Sequence, residues 1–305
     1  MKGIVYSVNI GEKKGEIKKK VEFIELITNY GVKGDCHAEY GTTRQVSLLS
    51  WERMNEEFFC LKKEGDLKPG IFAENITTLK IDLRKLKVGD KLKINDTLIE
   101  ISQIGKNCHK YCEIYKKVGK CIMPKEGIFG KVIKGGIIKE KDIIEVLPKI
   151  DVAILTISDS CFEGKRKDES GNFLKDVCEE NDWNVLKYEI IPDEKEVIKE
   201  KLNQFSNICD LILTTGGTGI TKRDQTPEAT KEVIEKEIPG VSEILRIKTY
   251  EKSKFSVISR GICGIKGNTL IINFPGSLNG VKDYFEVAKD IIVHLIEMIR
   301  EFPHD

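Results

Sequence analysis

The sequence predicts two domains: a β-rich, barrel-like module over 1–148, and an α/β domain with a mostly parallel, doubly wound sheet over 149–305. Three observations predict this. At 305 residues the chain exceeds one typical domain of roughly 100–150 residues. Up to residue 147 the apolar segments are short and separated by glycine-bearing turns, as in a closed or folded sheet. Beyond Pro148, apolar strands alternate with segments of helical periodicity, the pattern of parallel βαβ units with helices on both faces of the sheet.

In the first part the expected strands are Gly3–Ile10, Glu22–Thr28, Arg44–Leu49, Asn75–Leu79, Lys91–Gln103 and Asp142–Leu147, with one helix around Trp51–Cys60. In the second the order is strand Asp151–Ile157, helix Leu174–Asn181, strand Trp183–Ile191, helix Glu194–Phe205 and strand Asp210–Thr214. Helix Pro227–Glu237, strand Thr269–Phe274 and a closing helix Gly280–Arg300 complete it, and the join falls near Pro148–Ile150.

Lysine and arginine number 50 against 49 acidic residues, so there is no basic footprint for nucleic acid and no polybasic membrane patch. No window approaches the ~18–20 apolar residues that span a bilayer, and the expected compartment is the cytoplasm. Nine cysteines, an odd number, fit reduced thiols better than a disulfide framework. Three of them, Cys108, Cys112 and Cys121, cluster in one short stretch.

The sharpest local signal is Leu211-Ile-Leu-Thr-Thr-Gly-Gly-Thr-Gly219, followed by Arg223-Asp-Gln-Thr-Pro-Glu-Ala-Thr230. Gly216, Gly217 and Gly219 can adopt positive φ and let a ligand approach the backbone, while Thr215 and Thr218 supply hydroxyls for phosphate oxygens. Thr226 as N-cap with Pro227 at N1 also explains part of the stretch as a plain helix start. A second strand end, Ile271-Ile-Asn-Phe-Pro-Gly-Ser277, runs into the last helix in the same way. In open parallel sheets ligands sit beyond the carboxyl ends of strands, so the loops after Ile157, Leu213 and Phe274 are expected to line one crevice. Ser158 and Asp159 lie at the first of these loops and Pro275, Gly276 and Ser277 at the last. Asp159, Asp193 and Asp224 are candidates to hold Mg²⁺ on phosphates, with Arg223 as a phosphate partner. Asp193, with Glu196 three residues on, equally suits a helix capping box.

Residues from about Asp151 to Arg300 resemble the molybdopterin adenylyltransferase family, the Mog/MoaB group. The resemblance is carried by Thr156-Ile-Ser-Asp159, Ile191-Pro-Asp193, Leu213–Gly219, Arg223-Asp224, Thr226–Thr230, Pro239-Gly240, Ser259-Arg260 and Asn273–Ser277. It implies that molybdopterin phosphate attacks the α-phosphorus of ATP with Mg²⁺ required. It also gives Asp193 and Asp224 the catalytic and metal-holding positions, and makes Thr215–Gly219 with Pro275–Ser277 the pterin and nucleotide cradle. A non-catalytic molybdopterin carrier is the alternative. Asn279 and Gly280 depart from the Pro-Lys that many members carry after the Ser-Leu position. By resemblance alone a homotrimer is expected.

In the first part, Cys108-His109-x-x-Cys112-x₈-Cys121 invites a zinc reading, although adjacent Cys and His in an extended segment point to opposite faces. A thiol near Lys106, Lys110 or His109 would instead be activated as a nucleophile or persulfide carrier. Residues 1–147 resemble a MOSC domain through Gly31–Ala38, Arg44–Leu49, Pro69-Gly70, Ala73–Ile76, Gly105–His109, Cys121–Pro124 and Glu126–Phe129. This implies binding of finished molybdenum cofactor, or sulfur carriage to it, with Cys108 or Cys112 as the acting residue and Cys121 third. A sulfur-donor protein and molybdoenzyme clients are the implied partners. Asp35, His37 and Arg44 are polar residues of the matched segments that could line that site.

Overall fold

The structure, a computed structural model, describes residues 1–58, 67–107, 115 and 119–301. The chain divides into two compact units, Met1–Pro148 and Lys149–Glu301.

The first unit comprises β1 (Lys2–Ile10), β2 (Lys19–Val21), β3 (Phe23–Ile27), β4 (Gly31–Val32), β5 (Val46–Ser50), helix α1 (Trp51–Glu57) and β6 (Ile76–Leu79). It continues through β7 (Lys91–Ile94), β8 (Thr97–Ile104), α2 (Met123–Glu126), β9 (Ile128–Lys134), β10 (Gly136–Lys139) and β11 (Ile143–Leu147). Neighbours run β11-β7-β8-β9-β5-β6-β1, and β11 also pairs with β1, so seven strands close into a barrel. Closure removes free edges and traps an apolar interior of Val5, Leu48, Ile76, Leu92, Ile99 and Ile144. Strands β10, β3 and β4 form a separate small sheet.

Two expectations change here. The single strand expected over Lys91–Gln103 is a hairpin that turns at Asn95, where φ is 52°, a left-handed conformation that asparagine tolerates. The glycine-rich stretch after Glu126 carries no expected strand, yet it forms β9 and β10. Gly130 sits inside β9 because a Cβ there would collide with the Ile99 side chain and lie 3.0 Å from Glu100 O. The glycine is a packing requirement rather than a break. Helix α1 starts as expected, with Ser50 accepting from Arg53 N; residues 59 and 60 of the expected helix lie outside the described residues.

The second unit runs β12 (Asp151–Ile157), α3 (Asp159–Phe162), α4 (Glu169–Glu180), β13 (Asn184–Ile191), α5 (Lys195–Phe205), β14 (Leu211–Thr215) and α6 (Thr226–Val233). Then follow β15 (Lys236–Glu237), α7 (Pro239–Tyr250), β16 (Cys263–Lys266), β17 (Thr269–Phe274) and α8 (Leu278–Ile299). The sheet order is β13-β12-β14-β17-β16-β15; the first four strands are parallel, and β16 and β15 are added through antiparallel pairings. Successive residues of β12 serve opposite faces. Val152 and Ile154 join Leu174, Phe285 and Ile292 in one core, while Ala153, Leu155 and Ile157 join Ile198, Leu202 and Phe205 in the other. This is the doubly wound arrangement. The chain leaves β12 toward β13 on one side and then crosses to β14 on the other, so the topological switch point falls between β12 and β14.

The helix expected over Pro227–Glu237 ends at Val233, because Ile234 turns to extended backbone and Lys236–Glu237 pairs with β16 as an edge strand. The helix expected from Leu174 begins at Glu169, where the Asp168 carboxylate accepts from Gly171 N. No described helix is long and apolar enough to cross a membrane.

Phe205 is fully buried at the centre of the second core. Phe205→Ala is expected to destabilise this unit by about 3–5 kcal/mol. Urea unfolding followed by Trp183 fluorescence, in a Trp51→Phe background, reads it; a change under about 1 kcal/mol would mean the core collapses around the loss.

Candidate active site

The parallel strands bring three loops together at the switch point, as the sequence reading requires. A Cβ on Gly216 would collide with Ile157 O, and one on Gly276 would lie 3.2 Å from Gly216 Cα. The turns after β12, β14 and β17 therefore touch backbone to backbone. Gly216 (φ 98°) and Gly217 (φ 62°) hold left-handed conformations that side chains disfavour. The Thr215 hydroxyl donates to Pro275 O at 2.8 Å, and Ser170 donates to Gly276 O at 2.9 Å. Thr215 thus ties the two turns together. Ser277 caps α8 by accepting from Gly280 N at 3.2 Å, and Ser158 caps α3 by accepting from Cys161 N at 3.4 Å.

Both carboxylates singled out in the sequence pack on the glycine turn. A Cβ on Gly217 would collide with Thr226 Oγ1 and lie 3.0 Å from both Asp193 oxygens. One on Gly219 would lie 2.8 Å from Asp224 Oδ2, which accepts from Thr221 N at 2.7 Å. Two cap assignments are corrected by this geometry. Asp193 is not the capping residue of α5: Glu194 holds that position without a side-chain hydrogen bond, and the Asp193 carboxylate accepts from Gln225 N at 3.2 Å. Thr226 is not the N-cap of α6 either; Gln225 is, and the Thr226 hydroxyl donates to Gly216 O at 3.0 Å. Both side chains span between segments instead of serving their own helix, which local spacing cannot reveal.

Arg223 forms a bidentate pair with Asp159, bridging the loops after β12 and β14. Asp159 Oδ1 accepts from Asp193 N at 3.0 Å, and that bond together with Arg223 holds the Asp159 carboxyl below its usual range. Asp193 moves the other way: burial pushes it up to about 6, and the charges of Asp224 and Asp159 add to the effect while Gln225 N opposes it.

In the sequence, Arg260 stands out only as part of the matched Ser259-Arg260. Its backbone N donates to Thr218 O at 2.9 Å, Nε to Gly219 O at 2.6 Å and Nη2 to Asp224 O at 2.8 Å, and its guanidinium pairs with Glu228. One side chain thus clamps the loop that carries Asp224. Asn273 similarly joins β14 to α6, donating to Thr214 Oγ1 and Thr230 Oγ1 at 3.0 Å each. A cavity of about 960 Å³ opens beside these turns, lined by Gly217, Thr218, Gly219, Asp224, Pro275–Ser277 and the segment around Lys252–Ser259. A smaller one of about 350 Å³ lies across Gly216 and Gly276, lined also by Ser158, Arg166 and Lys167.

In the first unit, Cys108, His109 and Cys112 lie outside the described residues. Cys121 is partly buried against the cluster of Met54, Phe72 and Phe129. Arg44 donates to Gln103 Oε1 at 2.9 Å and, with Lys106 and Asn107, lines a groove of about 550 Å³. Asp35 is buried, and His37 beside it is partly exposed.

An open α/β sheet with two glycine turns and paired carboxylates at its switch point defines a domain built to handle phosphate esters. Residues 153–294 match the family described as a probable molybdopterin binding domain, and residues 35–145 match the MOSC domain. The molybdenum cofactor synthesis protein cinnamon of Drosophila melanogaster is 40% identical over 156 residues, which are 50% of this chain and 26% of that protein. The molybdopterin adenylyltransferase of Helicobacter pylori strain J99 is 36% identical over 154 residues, 49% of this chain and 88% of that protein. The crystal structure of the molybdopterin biosynthesis enzyme MoaB of Thermus thermophilus shares 37% identity, with 51% of this chain and 99% of that chain covered and a TM-score of 0.48. The chain belongs to the Mog/MoaB family of molybdenum-cofactor biosynthesis proteins, with a MOSC domain preceding the family's α/β domain.

Two outcomes follow from the site. Because the fold raises the Asp193 pKa from 3.8 to about 6, it favours the neutral carboxyl, so this stabilisation is complete below pH 3.8 and lost as pH rises through about 6. Carboxyl NMR should give a midpoint near 6 for Asp193; a midpoint in the usual range for an aspartate, near 4, would contradict the burial argument. Arg260→Ala should speed amide exchange across 219–225 about tenfold, the effect of losing hydrogen bonds to a charged group. Unchanged exchange would mean that the loop holds its own shape.

Proposed function

We propose that the second unit transfers an adenylyl group from ATP to the phosphate of molybdopterin, and that the first binds finished molybdenum cofactor or carries sulfur to it. The observation that supports the transfer best is the seating of Asp193 and Asp224 against Gly217 and Gly219 beside one large cavity. The 36% identity with a molybdopterin adenylyltransferase supports the same reading. A phosphate oxygen of molybdopterin bonds to the α-phosphorus of ATP, the bond from that phosphorus to the bridging oxygen breaks, and pyrophosphate leaves. The nucleophile is already anionic, so the protein's task is to align two polyanions and offset their repulsion.

The chain's own groups suit that task. The backbone of the turns after β14 and β17 and the N-terminus of the 22-residue α8 offer positive dipole ends to phosphate oxygens. Thr215 and Thr226 spend their hydroxyls on carbonyls, so their work is to fix the turns rather than to touch phosphate. Arg223, well exposed and paired with Asp159, is the phosphate partner, and Arg260 fixes Asp224. Asp193 and Asp224 fit Mg²⁺, because burial and neighbouring carboxylates leave Asp193 in a site that a divalent cation relieves. Bound there, Mg²⁺ would supply charge screening for the phosphates and for departing pyrophosphate.

In the first unit, Cys108 and Cys112 remain the proposed acting thiols, with sulfur delivered by a donor protein and cofactor passed to molybdoenzyme clients. Assembly as a homotrimer belongs to the same reading. The deciding experiment is anaerobic incubation with molybdopterin, Mg²⁺ and α-labelled ATP, following pyrophosphate and adenylylated pterin. Asp224→Asn is expected to keep pterin binding and to cut AMP transfer about a hundredfold or more, the scale of losing a charge-stabilising group. Tight pterin binding without turnover in the unaltered protein would make it a carrier instead.

A further inference from the structure

The first unit contains a group of side chains that the proposed transfer and the cysteine pair at 108 and 112 do not use. Asp35, Cys36 and His37 follow one another in a turn in which Ala38 N donates to Asp35 O at 3.1 Å and Cys36 N donates to Gly11 O at 2.9 Å. In a strand such neighbours would alternate, but the turn folds all three side chains to one side. Their donor atoms lie within 4.8 Å of one another, the one such group of three or more His, Cys, Asp or Glu side chains among the described residues. His37 Nδ1 is 3.3 Å from Cys36 Sγ and 3.4 Å from Asp35 Oδ1.

Those separations distinguish two chemistries. In a nucleophilic relay the imidazole uses one nitrogen for the thiol and the other for the carboxylate. Here a single nitrogen faces both. A neutral Nδ1 either donates one proton or accepts one, so it cannot serve the thiol and the carboxylate together. A cation at the point where the three atoms converge satisfies all of them. Bonds of about 2.0–2.3 Å to sulfur, nitrogen and oxygen around a tetrahedral ion imply ligand separations of about 3.3–3.6 Å, close to the two that His37 Nδ1 makes.

The surroundings hold the carboxylate in place for this. Asp35 Oδ2 is occupied by Lys18 Nζ at 2.8 Å, Gly11 N at 3.0 Å and Asn75 Nδ2 at 3.0 Å, all buried, which leaves Oδ1 on the side of His37. Oδ1 also accepts from His37 N at 3.0 Å, fixing the turn. The Lys18 ammonium opposes a second cation nearby, which favours exchangeable over permanent binding. The His37 side chain is 38% exposed, so a fourth position can open to solvent.

We infer that Asp35, Cys36 and His37 form a binding site for a borderline divalent cation of the zinc class, with three protein ligands and an exchangeable fourth position. One thiolate, one imidazole and one carboxylate select such an ion over Mg²⁺ or Ca²⁺, which take oxygen ligands. The test is Co²⁺ titration of the chelator-treated full chain under reducing, anaerobic conditions, read by absorbance. One equivalent should produce a thiolate-to-cobalt charge-transfer band in the near ultraviolet, together with the visible bands of four-coordinate cobalt. Cys36→Ser should abolish the charge-transfer band, and His37→Gln should weaken binding about tenfold or more. The triple variant Cys108→Ser, Cys112→Ser, Cys121→Ser should keep it. The assignment is overturned if no band forms in the unaltered chain, or if the band survives Cys36→Ser and disappears in the triple variant. The partly exposed His37 supplies a second reading if Cys36→Ser does not fold: unchanged affinity in His37→Gln would overturn the site equally.

Discussion

At the carboxyl ends of β12, β14 and β17 the backbone comes so close that side chains are excluded. A Cβ on Gly216 has no room beside Ile157 O, and Gly276 stacks on Gly216 itself. The parallel pairing of Thr215 with Thr156 and Phe274 sets up this approach, and the bonds from Gly216 N to Phe274 O, from Thr215 to Pro275 O and from Thr226 to Gly216 O hold it. Everything else at the site is measured from that contact. Asp193 and Asp224 find their places against Gly217 and Gly219 because the missing side chains leave room for carboxylates there. An alanine at any of these glycines would displace a carboxylate or separate two strand ends.

The sequence disclosed most of this arrangement and missed part of it for identifiable reasons. Strands β12, β14 and β17 are largely apolar runs, the last two leading into glycine turns, so their existence, order of appearance and shared edge could be read directly. The barrel was legible only as a succession of short strands, since closure depends on β11 returning to β1 across nearly the whole unit. Gly130 and Asn95 misled for opposite reasons. One looks like a break and is a close packing contact, while the other lies in an apparently continuous strand and is the turn.

Among the site residues, the spacing that suggested caps for Asp193 and Thr226 was real, but the partners are distant in sequence. Gln225 N lies 32 residues from Asp193, and Gly216 O lies ten from Thr226. The role of Arg260 was hidden, although the residue lies in a matched segment, because a lone arginine before a short strand carries no local signature; its three carbonyl acceptors are brought together only by the fold. Asp35 and His37 stood out as polar residues of a matched segment, but their convergence with Cys36 did not, for the converse reason. Three adjacent ligand-type residues look unable to converge until the turn is known.

The pair between Arg223 and Asp159 has a consequence for how an anion would meet this arginine. A carboxylate already lies against the Arg223 guanidinium, and both groups are well exposed, at 58% and 41%. A polyphosphate binding at Arg223 would therefore displace a resident anion instead of meeting an unpaired cation. Dissolved salt weakens the pair being broken as well as the pair being made. Binding at this arginine would be an exchange between anions, and its dependence on ionic strength would be flatter than a count of nearby positive charges suggests.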